Sequence, residues 1–347
     1  MSHRVRIAGM SIEFACEPDE TVLEAAERAG YSLPYSCRKG ACSTCEGELV
    51  CGDAYQRGRG HARGPADALL FCQARPLSDI EIAPRRIDRR DPAVRKLISA
   101  TVFRIVRAAP DVSIVQLRFP AGMRARFRAG QYLRVLIGEG DSRNYSMANC
   151  PRDNDGAELH IRHVPGGAFS ANILERLAKG DRLQVDLPYG QFTVDADSAK
   201  PIILLATGTG FAPVKSMVEE QIRLGSSREM HLYWGAQRRD DLYLTALPEK
   251  WAAAGLLSYV PVLSSPDADW RGRTGLVHES VLADFPDLSG YEVYACGNPM
   301  MIAAARADFA GAGLPADRYH CDAFVPSGNP STADAPQVAA LSSGGRG

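Results

Sequence analysis

Cys37, Cys42 and Cys45 stand five and three residues apart, and Cys72 follows after 26 intervening residues. That spacing is one that holds a 2Fe-2S cluster: a short loop wraps three thiolates around two irons while the fourth arrives from a separate segment. A chain built on it must bring a loop and a distant strand to one buried point. Gly40 and Ala41 permit close backbone approach there, and N–H groups in such a loop bond the cluster sulfurs and help set the reduction potential. Two alternatives remain, a zinc site and a coincidence of buried thiols. Zinc ribbons pair two CxxC knuckles, whereas here only Cys42 and Cys45 have that spacing. Cys51 reads as a neighbour of the site, and Cys16, Cys150, Cys296 and Cys321 are scattered.

At 347 residues the chain is long enough for two or three domains. Its 40 Lys plus Arg against 41 Asp plus Glu leave no global field to hold nucleic acid or an anionic membrane. The longest apolar runs, such as residues 202–206, are strand-sized, so no membrane span is expected. The start, MSHRVRIAGMSIEFACEPDE, lacks the apolar core of a secretory signal. A cytoplasmic setting is therefore expected, where disulfides are improbable and the nine cysteines serve metal binding, catalysis or burial.

Residues 4–15 read as two strands with a turn at Gly9, and residues 21–29 as a helix after a capping-type start. PRRIDRRDPAVRK is proline-bounded and charge-dense and reads as a linker. Next come SATVFRIV, VSIVQLRF, QYLRVLIG, RNYSMAN, ELHIRHV and DRLQVDL, six spaced strands that suggest a barrel, interrupted by a helix-length segment at 168–177. From Pro201 buried runs alternate with helical ones at 212–224 and 299–312, the pattern of a parallel sheet. The tail after Pro326 is rich in Ser, Gly, Pro and Ala and is expected to be mobile. The expected divisions are 1–86 for the cluster domain, 87–97 for the linker, 98–198 for the barrel, 199–326 for the parallel-sheet domain and 327–347 for the tail.

LPYSCRKGACSTCEGELVCGD and LLFCQARP resemble ferredoxin-type domains along most of residues 3–83. Arg143, Asn144, Tyr145 and Ser146 resemble the RxYS pattern of the ferredoxin-NADP reductase superfamily, and HVPGGAFS places Gly166, Gly167 and Ser170 before the expected helix, where free N–H groups suit a pyrophosphate. The resemblance implies that Arg143 pairs with a flavin pyrophosphate, Tyr145 packs on the isoalloxazine, Ser146 sits near flavin N5, and His163 and Val164 give backbone contacts beside the ring. It implies FAD, because the similar reductases with an N-terminal ferredoxin domain generally use FAD and the phthalate-type arrangement uses FMN.

Thr207, Gly208, Thr209, Gly210, Phe211, Ala212 and Pro213 form a Gly-rich turn between a buried strand and a helix, an anion cradle. The turn resembles the GTGxAP form of the same superfamily, which implies an NAD(P) pyrophosphate there. Cys296 and Gly297 end a strand, where ligands of open α/β sheets bind; by resemblance Cys296 lies beside the nicotinamide and assists hydride transfer, with plain burial the alternative. YHCDAFVPS resembles the family's terminal acid-plus-aromatic segment, with Asp322 where the acid is often Glu, and Phe324 either covers the flavin or belongs to the core. Arg238 and Arg239 suit a 2′-phosphate and so NADPH. Ser265, Pro266, Asp240 and Asp241 favour NADH, which is the expected donor.

A flavin accepts two electrons and releases them singly to an iron-sulfur cluster. The fold expected is multidomain: an α+β ferredoxin-like (β-grasp) domain, an antiparallel β-barrel FAD domain and an α/β parallel-sheet nucleotide-binding domain. The resemblance, over residues 3–326, is to reductases of aromatic ring-hydroxylating dioxygenases, with RNYSMAN, RHVPGGAFS and GTGFAPVKS looking closest to the terephthalate dioxygenase reductase type. It implies an NAD(P)H-dependent oxidoreductase that delivers electrons to a terminal oxygenase. Reductases of a CDP-deoxysugar dehydratase or of a soluble monooxygenase, and a free flavin reductase or diaphorase, stay open as alternatives.

Overall fold

A computed structural model describes residues 2–91, 94–138, 141–167 and 169–325. The tail, and Ala168 at the start of the segment expected to be helical, lie outside the described residues.

Besides a two-stranded sheet, the first domain has two main sheets. One contains β1 (His3–Ile7), β2 (Glu13–Cys16), β4 (Glu46–Cys51), β7 (Ala66–Leu70) and β9 (Ile80–Pro84) in the order β2-β1-β9-β4-β7; the other contains β5 (Asp53–Gln56), β6 (Gly60–Arg63) and β8 (Ala74–Pro76) in the order β6-β5-β8. Helix α1 (Val22–Arg28) starts because Thr21 and Glu24 form a reciprocal capping box, and it buries Val22, Leu23, Ala25 and Ala26. β3 (Tyr31–Ser32) pairs with β10 (Asp88–Arg89), so the expected linker is tied back onto this domain. Arg95, further along it, lies 3.8 Å over the Tyr189 ring and 3.8 Å from Glu27.

Six antiparallel strands follow: β11 (Lys96–Ala109), β12 (Val112–Arg118), β13 (Tyr132–Leu136), β14 (Ser142–Ser146), β15 (Gly156–Arg162) and β16 (Arg182–Tyr189). Their order is β14-β13-β16-β11-β12-β15, and a bridge between Met147 and Leu159 joins the two ends. Leu133, Val135, Leu159, Val185 and Leu187 alternate inward to fill the barrel. Where a helix was expected at 168–177, the described residues hold one 3-10 turn, Leu174–Arg176. Ser170 and Asn172 are weak helix formers, and the Ser170 hydroxyl bonds both the N–H and the carbonyl of Val164, which holds the segment as a loop.

The third domain is a parallel sheet of β17 (Ile202–Thr207), β18 (Met230–Ala236), β19 (Ser258–Leu263), β20 (Arg273–Thr274), β21 (Glu292–Gly297) and β22 (Tyr319–Ala323), ordered β20-β19-β18-β17-β21-β22. Helices α2 (Phe211–Leu224), α3 (Ala246–Ala253), α4 (Val277–Asp284) and α5 (Pro299–Gly311) connect them. α2 ends on Gly225, whose φ of 65° no side chain opposes. Among the described residues no helix is long and apolar enough to cross a membrane.

Candidate functional site

The loop that carries three of the four thiols curls because Arg38, Gly40 and Ser43 adopt φ of 55°, 77° and 56°. Side chains other than glycine rarely accept that conformation, so the turn is held by its surroundings. A Cβ on Gly40 would meet Gln73 Cγ at 2.9 Å, so the loop lies directly on the segment that supplies Cys72. The thiols fall into two pairs. Cys45 Sγ lies 3.2 Å from Cys72 Sγ, and the free thiols of Cys37 and Cys42 interact with each other by hydrogen bonding. All four are buried. Two pairs suit two metal ions with two thiolates each, the donor set of a 2Fe-2S cluster, and suit one tetrahedral zinc poorly. Cys37 and Cys42 pack with Cys321 and Ala323 of the third domain, whereas Cys45 and Cys72 belong to the first domain's own core. Cys51 is exposed and outside both pairs.

A cavity of about 540 Å³ lies where the three domains meet, within the range of roughly 300–1,000 Å³ typical of ligand sites. The barrel contributes Arg143, Asn144, Tyr145 and Ser146 from the end of β14, and Val164, Gly166, Gly167 and Ser170 from the loop after β15. The third domain contributes Thr209, Ala212, Asp322 and Phe324, and the first contributes Ser36, Cys37 and Lys39. Tyr145 and Phe169 face each other with ring centroids 5.4 Å apart, while Arg143, Arg162 and Lys39 bring positive charge. Aromatic walls beside cations are what a flavin with its pyrophosphate requires. Gly166 and Gly167 enter as a loop, so the terminus of a long helix does not take part, and the Ser170 hydroxyl is already engaged by Val164.

Arg162 is not among the residues singled out from the sequence, although an arginine at a strand end directly before HVPGG is a usable signal. Its Nη1 donates to Asp111 Oδ2 at 2.5 Å, and a Cβ on Gly208 would sit 2.7 Å from its Nη2. It therefore bridges the barrel and the Gly-rich turn before α2. His163 points away from the cavity: its N–H bonds Asp111 O at 2.7 Å, and its ring lies 2.8 Å from Ser113 Oγ. Of the pair expected beside the ring, Val164 alone lines the cavity.

Gly208–Gly210 form a 3-10 turn that runs straight into α2. Gly210 and Gly297 have packing reasons to be glycine: a Cβ on the first would meet Cys296 O at 2.3 Å, and on the second Thr207 Oγ1 at 2.2 Å. Thr207 Oγ1 accepts from Asn298 N at 2.9 Å, locking the two strand ends together. Pro213 and Cys296 are buried, and Arg238 is exposed at the end of β18, where its N–H bonds Asp241 Oδ2 at 3.0 Å. Burial pushes the Cys296 thiol well above its ordinary range, so it is neutral. Cys296 pairs in register with Asp322, and Phe324 N donates to Gly297 O at 2.8 Å. β22, which the sequence reading left without an element, thus carries Asp322 and leads into Phe324 over the carboxyl ends of the sheet.

A buried polar network binds barrel to sheet. His160 Nδ1 lies 2.8 Å from Tyr243 Oη and its Nε2 3.2 Å from Glu158 Oε1, while Lys215 Nζ stands 3.2 Å from Glu158 Oε1 and 2.9 Å from Glu219 Oε1. Burial alone would raise the Glu158 carboxyl, but His160 and Lys215 outweigh it and hold the group well below the usual carboxylate range.

The chain matches three families: 2Fe-2S iron-sulfur cluster binding domain over residues 5–77, oxidoreductase FAD-binding domain over 99–194 and oxidoreductase NAD-binding domain over 204–307. It is 38% identical over 334 residues to the reductase component 1 of terephthalate 1,2-dioxygenase from Comamonas sp, covering 94% of this chain and 98% of that protein. It is also 38% identical over 334 residues to the CDP-6-deoxy-L-threo-D-glycero-4-hexulose-3-dehydrase reductase of Yersinia pseudotuberculosis, covering 94% and 100%. The crystal structure of an Amycolatopsis cytochrome P450 reductase superposes with a TM-score of 0.74 at 32% identity, covering 93% of this chain and 99% of that one. The chain belongs to the family of electron-transfer oxidoreductases that join a 2Fe-2S domain to FAD-binding and NAD-binding domains.

Proposed function

We propose that this protein is the reductase component of an oxygenase system, oxidising NADH and delivering single electrons to a terminal aromatic ring-hydroxylating dioxygenase in the cytoplasm. One observation carries the reading: Cys37, from the thiol loop, borders the same cavity as Tyr145 and Ser146 of the barrel and Phe324 of the nucleotide domain. When bound, FAD supplies the conversion from two-electron to one-electron transfer, and the 2Fe-2S cluster holds one electron at a time.

In this reading Cys37, Cys42, Cys45 and Cys72 hold the cluster. Arg143 and Arg162, with the Gly166 and Gly167 backbone, neutralise the flavin pyrophosphate; Tyr145 packs against the ring, and Ser146 donates toward N5. Thr207, Gly208, Thr209 and Gly210, with Ala212 and Pro213, present the start of α2 to the nicotinamide dinucleotide. Phe324 shields the flavin until nicotinamide arrives, and Cys296, Gly297 and Asp322 shape the place where it stacks. Asp240 and Asp241, which follow directly on Arg238 and Arg239, oppose a 2′-phosphate and support NADH over NADPH.

The equal identity to a CDP-hexulose dehydrase reductase supports a second reading, in which the acceptor is a deoxygenating dehydrase. Substrate-dependent NADH consumption with each purified acceptor separates the two. For the order of electron flow the test is Cys72→Ser, which should spare ferricyanide reduction from the flavin and abolish cytochrome c reduction. Equal loss of both in a folded, FAD-bound variant contradicts the reading.

A further inference from the structure

The small sheet β6-β5-β8 of the first domain has two unlike faces. Ala54 and Gln56 point inward and are buried, whereas Tyr55 between them is 47% exposed. Tyr55 stands in register with His61 on β6 and Arg75 on β8, both exposed. Two residues to one side of that row Arg63 stands opposite Asp53, with the N–H of the 51% exposed Leu77 donating to Asp53 O, and two residues to the other side comes Arg57. Residues 53–77 hold four arginines against two aspartates, although the whole chain is almost neutral. Asp53, the one carboxylate in these three strands, already has His61 at 3.5 Å and Arg63 at 3.9 Å.

Next to this sheet lies Cys72, which with Cys45 belongs to the first domain's core and stays out of the cavity lining. Arg57 N donates to Gln73 O at 3.0 Å. Gln73 Nε2 in turn donates to Cys72 O at 2.7 Å and lies 3.5 Å from Cys72 Sγ. Cys37 borders the cavity where electrons enter, and Cys72 is tied to the arginine-rimmed sheet.

We propose that the outward face of β6-β5-β8, centred on Tyr55 and rimmed by Arg57, Arg63 and Arg75, docks the electron-accepting protein, and that this acceptor presents an acidic surface. The inference rests on the reading of the chain as a reductase with a separate protein acceptor. An exposed aromatic within a ring of arginines has the composition of an interface centre, and the arginines supply steering and register. A cluster held by Cys37, Cys42, Cys45 and Cys72 would supply one electron, which would pass on the Cys72 side to the docked protein and reduce its one-electron acceptor group by one unit.

Succinylated cytochrome c, made acidic, and native cytochrome c, which is basic, are the two probes, used with the full-length holoprotein. Wild type should bind the succinylated form more tightly when both proteins are oxidised and no turnover occurs, and should reduce it faster at low salt, with the advantage vanishing as salt is raised. R57E/R75E should weaken both binding and kcat/KM for the succinylated probe by about tenfold or more and improve them for the native one. Y55A should weaken binding at high salt as well. NADH–ferricyanide turnover and the rate of cluster reduction by NADH should stay at wild-type values in each variant. Unchanged binding and rates for both probes in R57E/R75E overturn the docking face, as does a loss equal for the two probes. Failure of NADH to reduce the cluster in wild type overturns the electron-transfer reading instead.

Discussion

Arg306 Nη2, on α5 of the nucleotide domain, donates to the backbone carbonyl of Cys42 at 2.6 Å and lies 3.2 Å from Cys321 Sγ. Cys321 Sγ reaches the same carbonyl at 3.1 Å, and Thr44 Oγ1 donates to Cys321 O at 3.3 Å. The thiol loop is thus fastened to the strand that carries Asp322. A hydrogen bond from a charged donor is worth about 1.5–3 kcal/mol. Arg306→Ala should therefore slow flavin-to-cluster transfer at least severalfold in stopped flow while ferricyanide reduction persists. An unchanged rate would make the contact incidental.

The His160 network predicts acid sensitivity. Neutral His160 accepts from the Tyr243 hydroxyl and donates to Glu158, and burial depresses its pKa below 6.5. Below pH 6.5 the unfolded chain therefore takes up this proton before the folded one, and stability falls. Glu158 is depressed as well, so its contribution is complete above about pH 4.5 and is lost as pH drops toward its folded value. Flavin release followed by fluorescence should begin below pH 6.5, and the difference between wild type and His160→Gln should be concentrated between pH 6.5 and 4.5. Identical pH profiles would remove His160 from the account.

Gly210→Ala places a methyl 2.3 Å from Cys296 O and 2.6 Å from its carbonyl carbon, where backbone must give way. A destabilisation of about 1–3 kcal/mol is expected, read as a lower thermal midpoint together with a raised Kd for NADH. Normal stability with weaker NADH binding would show that the turn flexes freely.

Cys296 is buried, neutral and outside the cavity lining, whereas Phe324 lines it; on the proposed reading Cys296 would meet the nicotinamide only once Phe324 moves. Cys296→Ala should slow single-turnover flavin reduction about tenfold or more, the scale of a lost transition-state contact of 1.4 kcal/mol or above, and leave FAD bound. An unchanged rate would make Cys296 a packing residue.

Periodicity was enough to read the barrel and sheet strands, because alternation over six strands and buried runs such as residues 202–206 carry their own signature. The thiol spacing likewise pointed to its site directly. Other features depend on what the chain meets in space. Arg95 looked like solvated charge until Tyr189 and Glu27 appeared beside it. β22 (YHCDA) breaks its apolar residues with His320 and Asp322 and becomes a strand by pairing with β21, and Arg162 acquires its place from Gly208, 46 positions away in a different domain. The segment 168–177 misled because apolar residues at helical spacing also suit a loop whose serine bonds its own backbone.

Anaerobic titration with NADH, and with NADPH on a fresh sample, tests the central claim most directly when the visible spectrum is recorded throughout. Electron flow from nicotinamide through flavin to the four-thiol site predicts that flavin and iron-sulfur absorption both bleach at low NADH ratio, with NADPH far less effective. Bleaching of the flavin alone, with a demonstrably present cluster left oxidised, would contradict it.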